Sequence, residues 1–214
     1  MKKILESIDL SVIATPAPTV PDLVEECGEA GIPGIIIISA EFSETEAEGR
    51  KLEEEIKETK KEYEMRILGP NCLGVINPHS NLNATFTEQM PKKGGVTFLS
   101  QSEALASSTL DWAISAQFGF SSFGSVGNMV DIDFSDLIDY FGRDPRTRSI
   151  LMYIKAIKDA ERFMSAARSF ARTKPIMGVK SGKYERGAEA VASHTGSLAG
   201  SDEVHNGAFK RAEV

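Results

Sequence analysis

Ile35-Ile36-Ile37-Ile38 is a continuous run of β-branched residues, and it decides how the fold of this chain is interpreted. Such a run is typical of a strand buried on both faces, as in a parallel sheet that helices cover. Apolar residues at helical spacing precede it over residues 20–30, and a highly charged helix is predicted after it over residues 45–64. With further strands at 10–14 and 65–68, this order predicts a parallel sheet with helical crossovers.

The same alternation starts again after residue 95. Strands are predicted at 96–99, 121–126, 150–154 and 176–179, and helices at 102–117, 134–141 and 159–171. This pattern is typical of a doubly wound α/β domain. The stretch 71–95 has no clear periodicity, and we interpret it as an interdomain connection. We therefore predict an α/β protein of two units with parallel sheets, residues 1–91 and residues 92–214.

Composition narrows the class of protein. The 41% hydrophobic and 26% charged residues are ordinary for a globular chain, and the net charge of -7 without a basic patch argues against a nucleic-acid partner. Cys27 and Cys72 lie far apart in unlike settings, which predicts no disulfide framework and suits a reducing cytoplasm. The longest apolar runs are too short to span a membrane, and the N-terminus lacks a secretory signal. We expect a cytoplasmic protein without a membrane partner.

Two candidate sites lie at predicted strand ends, where open parallel sheets bind their ligands. Ser100-Gln101-Ser102 stands at a helix start, whose hydroxyls and N–H groups could hold a phosphate, although a plain N-cap gives the same pattern. Gly124-Ser125-Val126-Gly127-Asn128 forms a tight turn after the next strand. It could equally be a turn without a chemical role.

A third candidate is the small-residue stretch around His194, which reads Ser193-His194-Thr195-Gly196-Ser197-Leu198-Ala199-Gly200. Such a loop can present an imidazole while its backbone N–H groups cradle an anion. The alternative is a surface histidine near the cap of a final helix. From spacing alone the two interpretations are equally good.

Taken together, the motifs resemble one family. Gly69-Pro70-Asn71-Cys72-Leu73-Gly74, Ser100-Gln101-Ser102, Ser125-Val126-Gly127-Asn128 and the His194 stretch occur in this order in the ADP-forming acyl-CoA synthetases, relatives of the succinyl-CoA synthetase α subunit. The resemblance covers essentially the whole chain. It implies a partial Rossmann-like CoA-binding domain at 1–91, with its Gly-rich N-terminal part missing, and a flavodoxin-like succinyl-CoA synthetase-type domain at 92–214.

The resemblance also implies a reaction. Acyl-CoA, ADP and phosphate give the acid, ATP and CoA through a phosphohistidine, and the matching catalytic residue is His194. An ATP-grasp β-type subunit or domain would hold Mg-ADP or Mg-ATP, and no metal site is expected on this chain. We expect an oligomer, because a partial domain exposes a sheet edge and apolar surface. The implied site residues are Ser100, Gln101, Ser102, Thr195 and Gly196 for phosphate, Asn71, Cys72 and Asn128 for the active-site loop, and Thr15, Pro16, Ala17 and Ser39 for CoA.

Three positions depart from the family pattern. Glu103 stands where relatives usually have glycine, Lys155 where they usually have a glutamate that supports the histidine, and Glu41 where they often have glycine. A carboxylate in a first helical turn suits the helix dipole, but it repels a phosphate at the same N–H groups. Three interpretations stay open: a subunit or fragment that needs partner chains and is inactive alone, a degenerate relative that binds CoA or phosphate without turnover, and an assembly subunit.

Overall fold

The fold was obtained as a computed structural model, which describes residues 6–45 and 47–181. Its first sheet is parallel and three-stranded in the order β1-β2-β3, with helices between successive strands. The elements are β1 (Ser11–Ile13), α1 (Val20–Glu29), β2 (Gly34–Ile37), α2 (Ala47–Glu62) and β3 (Arg66–Leu68). The predicted strand–helix–strand order of the first unit is therefore confirmed.

Strand β2 is the centre of this sheet and is buried on both faces, as its β-branched run predicts. Ile35 and Ile37 pack with residues of α1 and α2 on one side. Ile36 points the other way and packs with Met129 and Phe134 of the second unit. Because neighbouring side chains alternate between the faces of a strand, an unbroken apolar run joins the cores of both units.

The second sheet has six strands in the order β5-β4-β7-β6-β8-β9. Its parallel part, β7-β6-β8-β9, has the flavodoxin-like order, whose topological switch point falls between β6 and β8. Helix α3 packs on one face of the sheet, and α4 and α5 pack on the other. The elements are β4 (Gly74–Asn77), β5 (Leu82–Thr85), β6 (Lys92–Ser100), α3 (Glu103–Ser115), β7 (Gly119–Ser125), α4 (Phe134–Arg143), β8 (Ser149–Ile154), α5 (Ala160–Phe170) and β9 (Ile176–Lys180).

The interpretation of residues 71–95 as an interdomain connection is wrong for most of that stretch. Strands β4 and β5 form an antiparallel hairpin, and β4 pairs with β7, so that the hairpin extends the second sheet. Each strand has only four residues, which is too short for alternation to show clearly in the sequence. The proposed division at residue 91 stays a prediction, but the hairpin before it belongs to the second sheet.

An ion-pair network links the edge of the first sheet to the second unit. Arg66 on β3 contacts Asp131 at 2.9 Å and Asp136 on α4 at 3.3 Å. The other Asp131 oxygen contacts Lys60 on α2 at 3.1 Å. Asp131 is largely buried, so that these contacts hold the two units together more firmly than exposed pairs would.

The part of the chain that the structure describes contains no helix both long and apolar enough to cross a membrane.

Candidate functional site

The carboxyl ends of strands from both sheets meet at one place. Three backbone hydrogen bonds join the loops that follow these strands: Asn71 N–H donates to Ser39 O at 2.8 Å, Asn128 N–H donates to Pro70 O at 2.9 Å, and Val126 N–H donates to Ser100 O at 2.9 Å. The structure therefore brings together Ser39, Asn71, Ser100 and Asn128, which the sequence predicted as site residues. Strand ends of this kind are where open α/β sheets bind ligands.

The close approach of two of these loops depends on Gly127. Its φ of 55° lies in the left-handed region. A Cβ at this position would collide with the carbonyl oxygens of Pro70 and Asn71. Only glycine satisfies both the backbone angle and the lack of space.

The start of α3 presents free backbone donors to the site. Ser102 is the N-cap, and its Oγ accepts from Leu105 N–H at 3.4 Å. The Ser100 hydroxyl accepts from Ser102 N–H at 3.0 Å. Glu103 and Ala104 occupy the first helical positions, and neither N–H donates to a residue that the structure describes. Such donors, at the positive end of a helix dipole, favour an anion.

Two buried hydroxyls in the site have no protein partner within residues 6–45 and 47–181: Ser39 Oγ and Ser125 Oγ. Ser125 is completely buried and pairs with Ser100 in the β6–β7 register, so both side chains leave the same face of the sheet, toward α3. Ser39 follows β2 at the end of the first sheet. Buried polar groups are nearly always hydrogen-bonded, so each of these hydroxyls is available to a bound water or to a ligand.

The side chain of Gln101 joins the ends of β6 and β8 at the topological switch point of the second sheet, and we call this link the brace. Its Oε1 accepts from Lys155 N–H at 2.7 Å and from Ala156 N–H at 2.9 Å, while its own N–H donates to Tyr153 O at 3.0 Å. The side-chain oxygen thus closes the gap between the ends of β6 and β8. The predicted role of Gln101 in phosphate binding stays a prediction. In that role its side-chain NH₂ group would donate to the phosphate.

Lys155 and Glu103, which depart in charge from the family pattern, have different surroundings. Lys155 is half-buried, and its burial lowers the pKa of its ammonium group. No described residue forms an ion pair with it. Glu103 is exposed on the first turn of α3, so that water screens its charge. Compared with the family pattern, Lys155 therefore adds a partly desolvated positive charge, and Glu103 adds a solvated negative charge.

Cys72 lies in the predicted active-site loop, but its thiol points into the core. The Sγ atom is within 3.3 Å of Ile37 O, to which the thiol donates. Burial raises the pKa of Cys72 to about 12. Because only a thiolate is a competent nucleophile, Cys72 has a packing role in the site.

This burial predicts the reactivity of both cysteines. At pH 8 we expect iodoacetamide to modify neither Cys27 nor Cys72 in the folded chain, because both are fully buried and burial raises the pKa of each. Both should react in denaturant, as mass spectrometry would show. The raised pKa of Cys72 also predicts that stability falls as the pH rises from about 9 toward about 12, because only the unfolded state readily loses this proton. Rapid modification of Cys72 in the folded state would contradict this assignment.

Asn128 contacts two carboxylates that sequence reasoning missed. Its Nδ2 donates to Glu44 Oε2 at 2.5 Å and to Glu53 Oε1 at 2.7 Å. Glu53 belongs to the highly charged helix predicted over residues 45–64, yet it is only 5% exposed. Helical spacing could have indicated that Glu53 is buried, since it shares one face of α2 with Gly49 and Ile56, and all three are buried.

The remaining predicted residues lie at the margin of the site or beyond it. Thr15 and Pro16 are exposed after β1, and the buried Ala17 begins a short turn of 3-10 helix. Thr15 Oγ1 accepts from Thr19 Oγ1 at 2.9 Å, which fixes the turn. His194, Thr195 and Gly196 lie outside the residues that the structure describes.

Family models divide the chain in two. Residues 93–214 match the model for the succinyl-CoA ligase-like flavodoxin domain, and residues 2–78 match a CoA-binding domain. The α subunit of acetate–CoA ligase [ADP-forming] II from Pyrococcus furiosus is 46% identical over 214 residues. The chain belongs to the family of ADP-forming acyl-CoA synthetases. The resemblance inferred from the four motifs is thus confirmed.

Other members of the ADP-forming acyl-CoA synthetase family agree in sequence and in structure. The acetate–CoA ligase [ADP-forming] of Methanocaldococcus jannaschii is 47% identical over 98% of the chain. The acetyl-coenzyme A synthetase 1 of Ca. Korarchaeum cryptofilum, solved with phosphate and ADP, superposes with a TM-score of 0.93 at 37% identity over 98% of the chain. This chain spans 47% of the Pyrococcus furiosus subunit, 29% of the Methanocaldococcus jannaschii ligase and 45% of the Korarchaeum chain.

Proposed function

We propose that this chain is the α-type part of an ADP-forming acyl-CoA synthetase, in which His194 carries the phosphoryl group. The observation that supports this most is the start of α3, where two N–H groups have no acceptor among the described residues. The buried Ser125 hydroxyl, also without a described partner, lies on the strand next to the one that leads into α3. A relative whose printed name is an α subunit matches the chain along its whole length.

The proposed chemistry has three steps. Phosphate attacks the thioester carbonyl of an acyl-CoA, so that a C–O bond forms, the C–S bond breaks and CoA leaves. The imidazole of His194 then attacks the phosphorus of the acyl phosphate and releases the carboxylate. Transfer of the phosphoryl group to ADP regenerates the imidazole and gives ATP.

Charge stabilisation is the main contribution that this chain's described residues would make. The N–H groups of Glu103 and Ala104 and the Ser125 hydroxyl would bind the phosphate oxygens, as helix starts do elsewhere. We assign Ser100 and Ser102 to holding this helix start in shape, and Thr195 and Gly196, on the strength of the motif, to phosphate binding. Lys155, whose backbone N–H is bonded to Gln101, adds a half-buried positive charge to this chain.

CoA and ADP belong to different parts of the proposed assembly. The match of residues 2–78 to a CoA-binding domain supports our assignment of CoA to the first sheet, and the buried hydroxyl of Ser39, which has no partner among the described residues, is available to a ligand there. We assign Thr15, Pro16 and Ala17, after β1, to the same ligand. Mg-ADP would come from an ATP-grasp β-type subunit or domain, which makes the active form an oligomer or a longer chain.

The test is phosphorylation of His194. With a cognate ATP-grasp partner, Mg²⁺ and γ-labelled ATP, we expect an acid-labile, base-stable label on this chain. His194→Ala should abolish the label, whereas His205→Ala should retain it. If the chain stays unlabelled while a full-length relative is labelled with the same partner, the catalytic proposal is wrong.

A second candidate, a relative that binds CoA or phosphate without turnover, is favoured by the charges of Glu103 and Lys155. It predicts calorimetric CoA binding without label. In that case the pair of changes Glu103→Gly and Lys155→Glu should restore labelling. If the chain shows neither CoA binding nor labelling, that result would favour the role of an assembly subunit.

A further inference from the structure

The side chain of Asn128 stands between the loop after β7 and the loop after β2, residues 38–45. Its Nδ2 donates to Glu44 Oε2 at 2.5 Å, to Glu53 Oε1 at 2.7 Å and, more weakly, to Ser43 Oγ at 3.3 Å. Its Oδ1 accepts from Asn71 Nδ2 at 3.4 Å, which orients the amide with its donors toward the carboxylates. A single amide therefore ties together residues from four segments of the chain.

The two carboxylates held by Asn128 in turn hold the backbone of the 38–45 loop. Glu44 Oε1 accepts from Glu41 N–H at 2.7 Å and from Phe42 N–H at 3.1 Å. Glu53 Oε1 accepts from Ser43 N–H at 3.3 Å and from the Ser43 hydroxyl at 2.7 Å. Glu41 has a φ of 74°, a conformation that a non-glycine residue keeps only when its surroundings hold it. The loop conformation thus depends on where these carboxylates lie.

The charges around Asn128 make its amide group necessary. Glu44 and Glu53 approach the same nitrogen, and like charges this close repel each other unless a donor lies between them. Lys158 adds a cation to this region: its Nζ donates to Met129 O at 2.9 Å, and its charge interacts with Glu53, Lys57 and Asp133. Among the described residues Lys158 forms no ion pair with either acid, and Asn128 is the side chain that donates to both.

We propose that Asn128 is a positioning residue that makes the shape of the 38–45 loop depend on the loop after β7. Ser39, with its orphan hydroxyl, lies in the 38–45 loop, and Asn128 follows the strand that carries Ser125. The amide thus joins the CoA side of the site to its phosphate side. The part of this inference that concerns CoA rests on the proposed function.

The deciding variant is Asn128→Asp, which replaces the donor by a third carboxylate. At pH 7.5 we expect the amide-exchange protection factors of Glu41, Phe42 and Ser43 to fall about tenfold or more, while those of β6 remain. Calorimetric affinity of the chain for CoA should fall about tenfold as well. Clustered carboxylates have raised pKa values, so one proton is taken up as the pH falls toward 5 and a donor returns. Protection and relative CoA affinity should then recover, whereas the unaltered chain should show no such recovery.

Two further variants keep the test specific. Asn81→Asp makes the same change in an exposed turn at a φ of 56° and should leave all three protection factors unchanged. Adding Glu44→Gln to Asn128→Asp exchanges donor and acceptor between the two side chains, and we expect it to restore much of the protection at pH 7.5.

Each failure has its own meaning. Unchanged protection in Asn128→Asp, or equal loss of protection in β6, would overturn the positioning role. Lost loop protection with unaltered CoA affinity would overturn the link to CoA. If the unaltered chain binds no CoA, the assignment of the first sheet to CoA is wrong, and the exchange data still decide whether Asn128 positions the loop.

Discussion

Replacing Gly127 by alanine should lower the free energy of unfolding by about 3 kcal/mol, from about 1–2 kcal/mol of left-handed strain and a similar cost of overpacking. The added Cβ would meet the carbonyl oxygens of Pro70 and Asn71, which are backbone atoms and cannot rotate away. The loops after β3 and β7 would have to separate. We expect urea denaturation to show the loss, together with weaker amide protection of Asn128, whose N–H donates to Pro70 O.

Gly31→Ala is the matched control for this change. Gly31 also has a positive φ, 70°, but a Cβ there would meet nothing within 4 Å. Its replacement should therefore cost only the backbone strain, about 1–2 kcal/mol. Equal losses for the two variants would show that the approach of the loops at Gly127 is not tight.

Replacing Gln101 by leucine should cost about 3 kcal/mol, because the N–H groups of Lys155 and Ala156 would both lose their acceptor in a partly buried place. Beyond the ladder, the ends of β6 and β8 would then be joined only by the backbone bond from the N–H of residue 101 to Tyr153 O. Gln101→Glu retains an oxygen for both donors, so we expect a loss below about 1 kcal/mol. Its negative charge beside the start of α3 should nevertheless weaken binding of inorganic phosphate about tenfold or more.

The two variants at Gln101 separate the brace from the electrostatics of the site. Denaturation measures the first effect, and calorimetric titration with phosphate measures the second. Gln89→Leu, at an exposed position in a loop, should change neither by a measurable amount. If Gln101→Leu is as stable as the unaltered chain, the hydrogen bonds of Gln101 to Lys155 and Ala156 do not stabilise the fold. If Gln101→Glu binds phosphate as well as the unaltered chain does, no anion binds at the start of α3.

Regular elements with strong periodicity could be predicted from the sequence, and the reason is visible in β2 and α3. The run Ile35-Ile36-Ile37 predicts a strand covered on both faces, which is what β2 is. Ser102 caps α3, the helix that its position predicts. The hairpin of β4 and β5 could not be found in the same way. Its strands have four residues each and pair with each other, and the hairpin joins the sheet through the pairing of β4 with β7, some fifty residues later.

The sequence predicted which loops form the candidate site, but not the role of each residue in it. The motifs predicted that Asn71, Ser100 and Asn128 lie together, because parallel strands end at the same edge of a sheet. That Cys72 turns inward, that Gln101 bonds to the next strand and that Ser125 has no partner among the described residues are consequences of tertiary packing. Local sequence can predict a helix cap such as Ser102, but not which distant residue a polar side chain meets.

The hairpin of β4 and β5 sets the limits for exchanging modules between members of this family. A chimera joined at residue 91 would take the hairpin from one parent and its neighbour β7 from the other, so that Val75 and Ile76 would face an unfamiliar strand at Gly124 and Phe123. A crossover between residues 69 and 73, after β3 and before β4, would keep every ladder within one parent. Recombination libraries built on this family should therefore retain folded members mainly when they are cut there.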